Sequence, residues 1–242
     1  MSMPVASILT LVMVMFIGYC NGITVVKSGL PSFIITLGSL FMVRGITIAV
    51  SKMVTGRTQL GGLEESKGYN IMSSLFSNSL TISETDFPIS ILWWVLFGIL
   101  GYLLLKHTQT GNWIFATGAS KESAKLMGIP VDRVKISLFM LTAFCAWFIA
   151  ITQVTTFGGA DVLRGEQKEF IAIIAAVIGG TLLTGGYGSI IGAMIGALIF
   201  GIVKQGIIFA GADADWFQVF MGVMLISAVL VNGVFRKKYA HS

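Results

Sequence analysis

The sequence predicts an all-α fold, a polytopic bundle of transmembrane helices, and three observations predict it. Composition comes first. Of 242 residues, 55% are hydrophobic and 11% are charged, and the mean hydropathy is +0.87. A soluble globule of this size carries a charged skin, and 16 basic plus 11 acidic side chains are too few to make one. The second observation is a recurrence of apolar stretches near the 20 residues that a helix needs to cross about 30 Å of hydrocarbon. The third is the unequal division of charge among the segments between them. Together they exclude a soluble enzyme, a disordered chain and a nucleic-acid-binding protein. The net charge of +5 does not reverse that, because the basic residues are not gathered on one DNA-reading surface. Cys20 and Cys145 both lie in apolar stretches and read as small buried hydrophobes.

Seven segments qualify: Val5–Val26, Leu30–Val50, Ile89–Leu105, Ile136–Phe157, Phe170–Leu183, Ile190–Ala210 and Phe217–Phe235. Ile89–Leu105 is at the lower limit of length. Phe170–Leu183 is shorter still, and reads as a broken or re-entrant helix.

The connections set the parity. Residues 106–135 carry Lys106, Lys121, Lys125, Arg133 and Lys135 against only Glu122 and Asp132, and the C-terminal tail carries Arg236, Lys237 and Lys238. Four crossings between them place both on one side, which the positive-inside rule makes cytoplasmic. That count needs Phe170–Leu183 to cross, giving seven crossings. The other large connections, Ser51–Pro88, Gly158–Glu169 and Gly211–Trp216, then face out, and they hold more acidic than basic residues. Counting back places Met1 outside. Met1–Pro4 has no basic residue, so it does not read as the start of a signal peptide.

The cytoplasmic connection holds the most informative stretch, from Ala116 to Pro130. Ser120 is a helix N-cap by residue type. Gly128 suits the left-handed position that ends a helix, and Pro130 forbids resumption. Glu122 in the first turn and Lys125 in the last complement the helix dipole. The stretch predicts a helix of about two turns with Ala124, Leu126 and Met127 as its apolar members, held as a knob for a soluble partner. The plain alternative is an ordinary capped connector.

Gly188, Gly192 and Gly196 recur every fourth residue at the start of a span, the small-residue pattern that lets helices approach closely. Gly186, Gly188 and Gly192 have the wrong spacing for a dinucleotide fingerprint and join two apolar spans. Polar residues within the spans are few: Asn21, Thr36, Arg44, Gln153, Lys204 and Gln205. Arg44 and Lys204 lie near span ends, from which long cationic side chains reach the interface. His107 and His241 are the only histidines, and no metal spacing, nucleophile elbow or phosphate loop is present. The sequence therefore predicts no catalytic residue, metal or cofactor, and the chain does not hydrolyse ATP itself.

The stretch Gly118–Ile129 resembles the coupling segment of the ribose-type sugar permeases of ATP-binding-cassette transporters, with Gly118, Glu122, Ala124, Lys125, Leu126, Gly128 and Ile129 matching and Ser123 in place of an alanine. Two further segments are similar to that family: Leu30-Pro-Ser-Phe-Ile-Ile-Thr-Leu-Gly38, and Ile173 to Ser189 with its Gly179-Gly180-Thr181 and Gly185-Gly186 pairs. The similarity runs from about Val5 to Phe235.

The resemblance implies one transmembrane permease domain over residues 1–242, corresponding to the C-terminal two-thirds to three-quarters of a full family member and lacking its first two or three helices. It implies an importer of a monosaccharide in the bacterial inner membrane, with a second permease subunit, two ATPase subunits that bind the ATP, a periplasmic sugar-binding protein and lipid as partners, and no nucleic acid. Coupling to the ATPase falls on Ser120, Lys121, Glu122, Ser123, Ala124, Lys125, Gly128 and Ile129. A sugar has hydroxyls and no charge, so hydrogen-bonding Thr36, Gln153, Thr181 and Gln205 are the candidate pathway residues. A branched-chain amino-acid permease is the neighbouring reading. A secondary carrier or channel is a third, disfavoured because no Asp or Glu lies in any predicted span. A non-transporting membrane scaffold is a fourth.

Overall fold

The computed structural model describes residues 2–82, 85–211 and 216–239. His241, Glu84, Asp213 and Asp215 lie outside the described residues. Ten α-helices are present among the described residues: α1 (Met3–Ser28), α2 (Ser32–Thr55), α3 (Tyr69–Phe76), α4 (Ser90–His107), α5 (Gln109–Ala119), α6 (Lys121–Leu126), α7 (Val131–Thr156), α8 (Lys168–Ile178), α9 (Ile190–Phe209) and α10 (Trp216–Tyr239). Four short strands accompany them: β1 (Gln59–Leu60), β2 (Ser79–Ile82), β3 (Thr85–Pro88) and β4 (Ala160–Asp161). Five helices, α1, α2, α4, α7 and α9, are long and apolar enough to cross a membrane. α10 adds a shorter apolar run, Trp216–Leu230.

The chain divides into two compact units, Met1–Val95 with Asp132–Gly165, and Leu96–Val131 with Glu166–Ser242. In the first unit α1 lies against α7 at two glycines. A Cβ on Gly18 would stand 2.7 Å from the Ala143 methyl and 3.0 Å from the Phe139 carbonyl oxygen, and one on Gly22 would stand 2.9 Å from the Ile136 Cα. Real side chains do not come so close, so only glycine permits this approach. The Trp147 indole N–H donates to the Ser7 carbonyl at 3.0 Å and fixes the same pair of helices.

The connection after α2, expected as plain, is folded in its described residues, 56–82 and 85–89. β2 pairs antiparallel with β3, Leu80 opposite Phe87, and β1 pairs with β4, Gln59 opposite Asp161. α3 is held between the ends of α1 and α7. The Tyr69 hydroxyl donates to the Thr155 carbonyl at 2.6 Å, and the Met3 amide donates to the Lys67 carbonyl at 2.9 Å. Met3, Met72 and Ile151 form the buried centre of this cap, ringed by Tyr69, Phe76, Trp147 and Val154. Phe76 stacks on Trp93 and meets Phe148 edge-on at a centroid distance of 5.2 Å, an arrangement in which ring edges face ring faces.

In the second unit α8 runs antiparallel to the start of α9, and Ile174, Phe200 and Met221 bring α8, α9 and α10 into one buried cluster. At 11 residues α8 is about 16 Å long, half of the hydrocarbon thickness. The expected span Phe170–Leu183 therefore ends early as a helix: residues 179–189 leave helical geometry before α9 begins. Gly180, Gly185 and Gly186 all have positive φ, which only glycine adopts freely and which a continuing helix excludes.

Two other expectations are corrected. Cys20 is exposed and Cys145 half-buried, both as free thiols, so neither is the fully buried hydrophobe expected. The connection 106–135 is mostly helical, because Thr108 caps α5 by accepting from the Gly111 amide at 3.2 Å. No residue of α2 is buried, and Phe16, Phe41 and Met53 are likewise exposed. Faces so apolar have lipid or other protein as their solvent.

Candidate functional site

α6 is built by its two ends. Ser120 has an extended backbone, φ −156° and ψ 113°, that turns the chain out of α5, and its hydroxyl accepts from the Ser123 amide at 3.2 Å. The same hydroxyl donates to Ser123 Oγ at 3.0 Å. At the other end Gly128 has φ +78°. The Gly128 amide donates to the Lys125 carbonyl at 3.0 Å and the Ile129 amide to the Ala124 carbonyl at 3.1 Å. This nested pair of bonds satisfies carbonyls that a helix end leaves without partners. Pro130 follows and α7 starts at Val131.

The six residues of α6 have a clear inside and outside. Ala124 is fully buried, whereas Leu126 is 90% and Met127 67% exposed. Glu122, Ser123 and Lys125 are also exposed, with Glu122 at the positive end of the helix dipole and Lys125 at the negative end. The short helix and its C-cap thus expose two apolar side chains, Leu126 and Met127, between capped termini.

The pathway candidates are tied into local structure. The Thr36 hydroxyl donates to the Ser32 and Phe33 carbonyls within α2. Gln153 is half-buried on α7, and its carbonyl accepts from the Phe157 amide at 3.0 Å. The Thr181 amide donates to the Ala176 carbonyl at 3.0 Å, holding residue 181 against the end of α8. Gln205 is exposed on α9. Each sits on a different segment: Thr36 on α2, Gln153 on α7, Thr181 after α8 and Gln205 on α9. Lys204 lays its ammonium 5.3 Å from the centroid of Phe217, a cation–π contact on the α9–α10 side. Arg44 is half-buried on α2.

A second polar feature escaped the sequence reading. Asp161 accepts from the Leu163 amide and from the Gln59 side-chain amide, each at 2.9 Å. These bonds, the Leu163 amide foremost, hold its carboxyl below the ordinary carboxylate range. Arg164 donates to the Gly159 carbonyl at 2.8 Å and places its guanidinium 4.6 Å from the Phe157 ring centroid. Gln59 and Asp161 meet across 102 positions of sequence, so no local pattern announces that pair. Among the described residues no group of three or more His, Cys, Asp or Glu side chains is placed to hold a metal ion.

Comparison with known proteins adds relatives of one kind. The chain is 32% identical over 220 residues to the fructose import permease protein FrcC of Rhizobium meliloti, covering 91% of this chain and 60% of that protein. It is 30% identical over 219 residues to the ribose import permease protein RbsC of Escherichia coli (strain K12), covering 89% and 64%. The fructose import permease protein FruG of Bifidobacterium longum (strain NCC 2705) is 29% identical over 215 residues, covering 89% and 62%. The chain thus spans about three-fifths of the length of these relatives. No solved structure matches it. The family model described as branched-chain amino acid transport system / permease component matches residues 1–229. With that match over nearly all of its length, and with five helices suited to crossing a membrane, the chain is a multi-pass membrane protein and belongs to the branched-chain amino acid transport system / permease component family.

Proposed function

We propose that the chain is a membrane-spanning permease subunit of an ATP-binding-cassette importer for a monosaccharide, driven by separate ATPase subunits and supplied by a periplasmic sugar-binding protein. The observation that carries this reading is the pairing of sugar-permease relatives with a capped, apolar-tipped helix α6 set between α5 and α7. A permease without a nucleotide site needs a surface through which a soluble motor moves it, and α6 has the form of one.

In this reading α1, α2, α4, α7, α8 with residues 179–189, α9 and α10 make seven crossings. The basic connection 106–135 and the C-terminus lie in the cytoplasm of an inner membrane. ATP-driven closure of two ATPase subunits pushes on Ser120–Ile129, and rigid-body motion of the spans of two permease subunits exposes the pathway alternately to either side. Thr36, Gln153, Thr181 and Gln205 offer hydrogen bonds to an uncharged sugar. Gly188, Gly192 and Gly196 set the helix spacing around that pathway. The folded cap on α3 and β1–β4 gives the binding protein a structured surface.

The test is affinity purification of the chromosomally tagged chain in mild detergent, with mass spectrometry of what accompanies it. An ATP-binding-cassette ATPase co-purifies, and is lost when Glu122→Arg and Gly128→Arg are combined. Absence of any such ATPase, under conditions where a known importer keeps its own, rejects the reading.

A further inference from the structure

The segment that carries α6 touches the break between α8 and α9 through bare backbone. A Cβ built on Gly118 would stand 2.5 Å from the Gly186 amide nitrogen and 3.2 Å from the Gly186 Cα. From the opposite side, a Cβ on Gly185 would stand 2.8 Å from the Gly118 carbonyl oxygen, and one on Gly186 would stand 2.9 Å from the Ala119 Cα. Neither surface has room for a side chain. Gly185 and Gly186 are required twice over, since their φ values of +86° and +80° also lie in the left-handed region.

Position in the chain gives this contact its meaning. Ala119 is the last residue of α5 and the neighbour of Ser120, the cap of α6. Across the contact, Gly185 donates its amide to the Leu182 carbonyl at 3.0 Å, and the Leu182 amide donates to the Tyr187 carbonyl at 3.1 Å. Thr181 is bonded to the Ala176 carbonyl of α8, also at 3.0 Å. A long side chain would absorb a displacement by changing rotamer. Main chain against main chain has no such freedom, and close-packed contacts transmit strain. We propose that Gly118, Gly185 and Gly186 form a rigid joint through which movement of α6 is passed to the C-terminal end of α8. These three glycines are positioning residues. The joint rests on the importer reading, because only a motor acting on α6 gives it a displacement to pass on.

The test measures hydrogen exchange in the purified complex with its co-purifying ATPase, without nucleotide and with ATP plus vanadate. In the wild type, trapping changes exchange by about tenfold both in residues 120–129 and in residues 176–189, within the range that coupling networks carry. In Gly118→Ala the change persists in 120–129 and falls below about twofold in 176–189. Ala119→Gly is the second variant. It removes the methyl that would stand 3.1 Å from a Cβ on Gly186, loosens the main chain at residue 119 and cannot clash, so it carries the test if Gly118→Ala fails to accumulate, with the same separation of the two responses. A purely structural role changes basal protection and leaves the nucleotide response of the two segments together. That result, or a wild type in which 120–129 responds and 176–189 does not, overturns the joint. If no ATPase accompanies the wild type, the importer reading itself fails, and the joint falls with it before any variant is made.

Discussion

Gly179 and Gly192 meet main chain to main chain, where the end of α8 crosses the first turns of α9. A Cβ on either residue would overlap the backbone of the other, and one turn further along a Cβ on Gly196 would overlap the Ala175 carbonyl. The four-residue repeat on α9 is matched by Ala175 on α8 and Gly179 at its C-cap, four apart, so the two small-residue faces run antiparallel in register.

Substitution of Gly192 by Leu should therefore disrupt the second unit by more than the 1–3 kcal/mol typical of an overpacked core, because the obstacle is main chain and cannot rotate away. Gly201, on the same helix but with nothing within 4 Å of its Cβ position, serves as the comparison. Gly201→Ala should be neutral or stabilising by up to about 1 kcal/mol through reduced backbone entropy. Thermal unfolding in detergent, followed by tryptophan fluorescence, separates the two; equal transition temperatures would refute the packing argument.

The two ends of α6 should be separately removable. Ser120→Ala loses the hydroxyl that accepts from Ser123, at a cost of about 1 kcal/mol. Gly128→Ala forces a Cβ into the left-handed region at φ +78°, at a cost of about 1–2 kcal/mol. Amides of residues 123–127 should exchange at least about fivefold faster in either variant, as a 1 kcal/mol loss requires. Those of α7 should be unchanged.

Asp161 makes the cap sensitive to acid. Its carboxyl titrates below the ordinary carboxylate value because the ionised form accepts from Leu163 and Gln59. A depressed acid contributes stability that is fully present above its unfolded value, near 4, and is lost as pH falls through the lower folded value. Asp161→Asn should consequently be less stable than the wild type at pH 6–7, with the difference closing only below about pH 4. Limited proteolysis of residues 157–168 at a series of pH values reads the difference directly. A gap that stays constant down to pH 3 would show that the carboxylate charge is not what these bonds hold.

Thr117 lies on α5 with its hydroxyl buried and without a hydrogen-bond partner among the described residues. Thr117→Val replaces that hydroxyl by a methyl of the same shape. It should leave stability unchanged or raise it by up to about 1 kcal/mol, since an unsatisfied buried donor is removed and no bond is broken. A fall of more than 1 kcal/mol in thermal unfolding would mean that the hydroxyl has a partner in solution.

The helices that are long and uniformly apolar were legible in the sequence to within a few residues: Leu30–Val50 appears as Ser32–Thr55, and Ile190–Ala210 as Ile190–Phe209. Hydropathy over some twenty residues is a strong local signal. Ser120 and Gly128 were legible for a different reason, since capping needs particular atoms at particular offsets. α3 was not legible, because its anchors are remote. Tyr69 is tied to Thr155 and Met3 to Lys67. The spacing of Gly18 and Gly22 stands in the sequence as plainly as that of Gly192 and Gly196. Nothing local, however, names Ala143 and Ile136 as what they meet.

Composition and local pattern determined that lipid is the solvent of this chain, roughly where its long apolar helices lie, and that one short helix is capped at Ser120 and Gly128. Those properties depend on apolar area, backbone φ and hydrogen bonds within a few residues. Tertiary structure alone decided that α3 seats against α1 and α7, that β1 pairs with β4, and that Gly118 rests on Gly185 and Gly186. These are contacts between distant segments, and glycine, having no side chain, leaves no trace in the sequence of the backbone it admits.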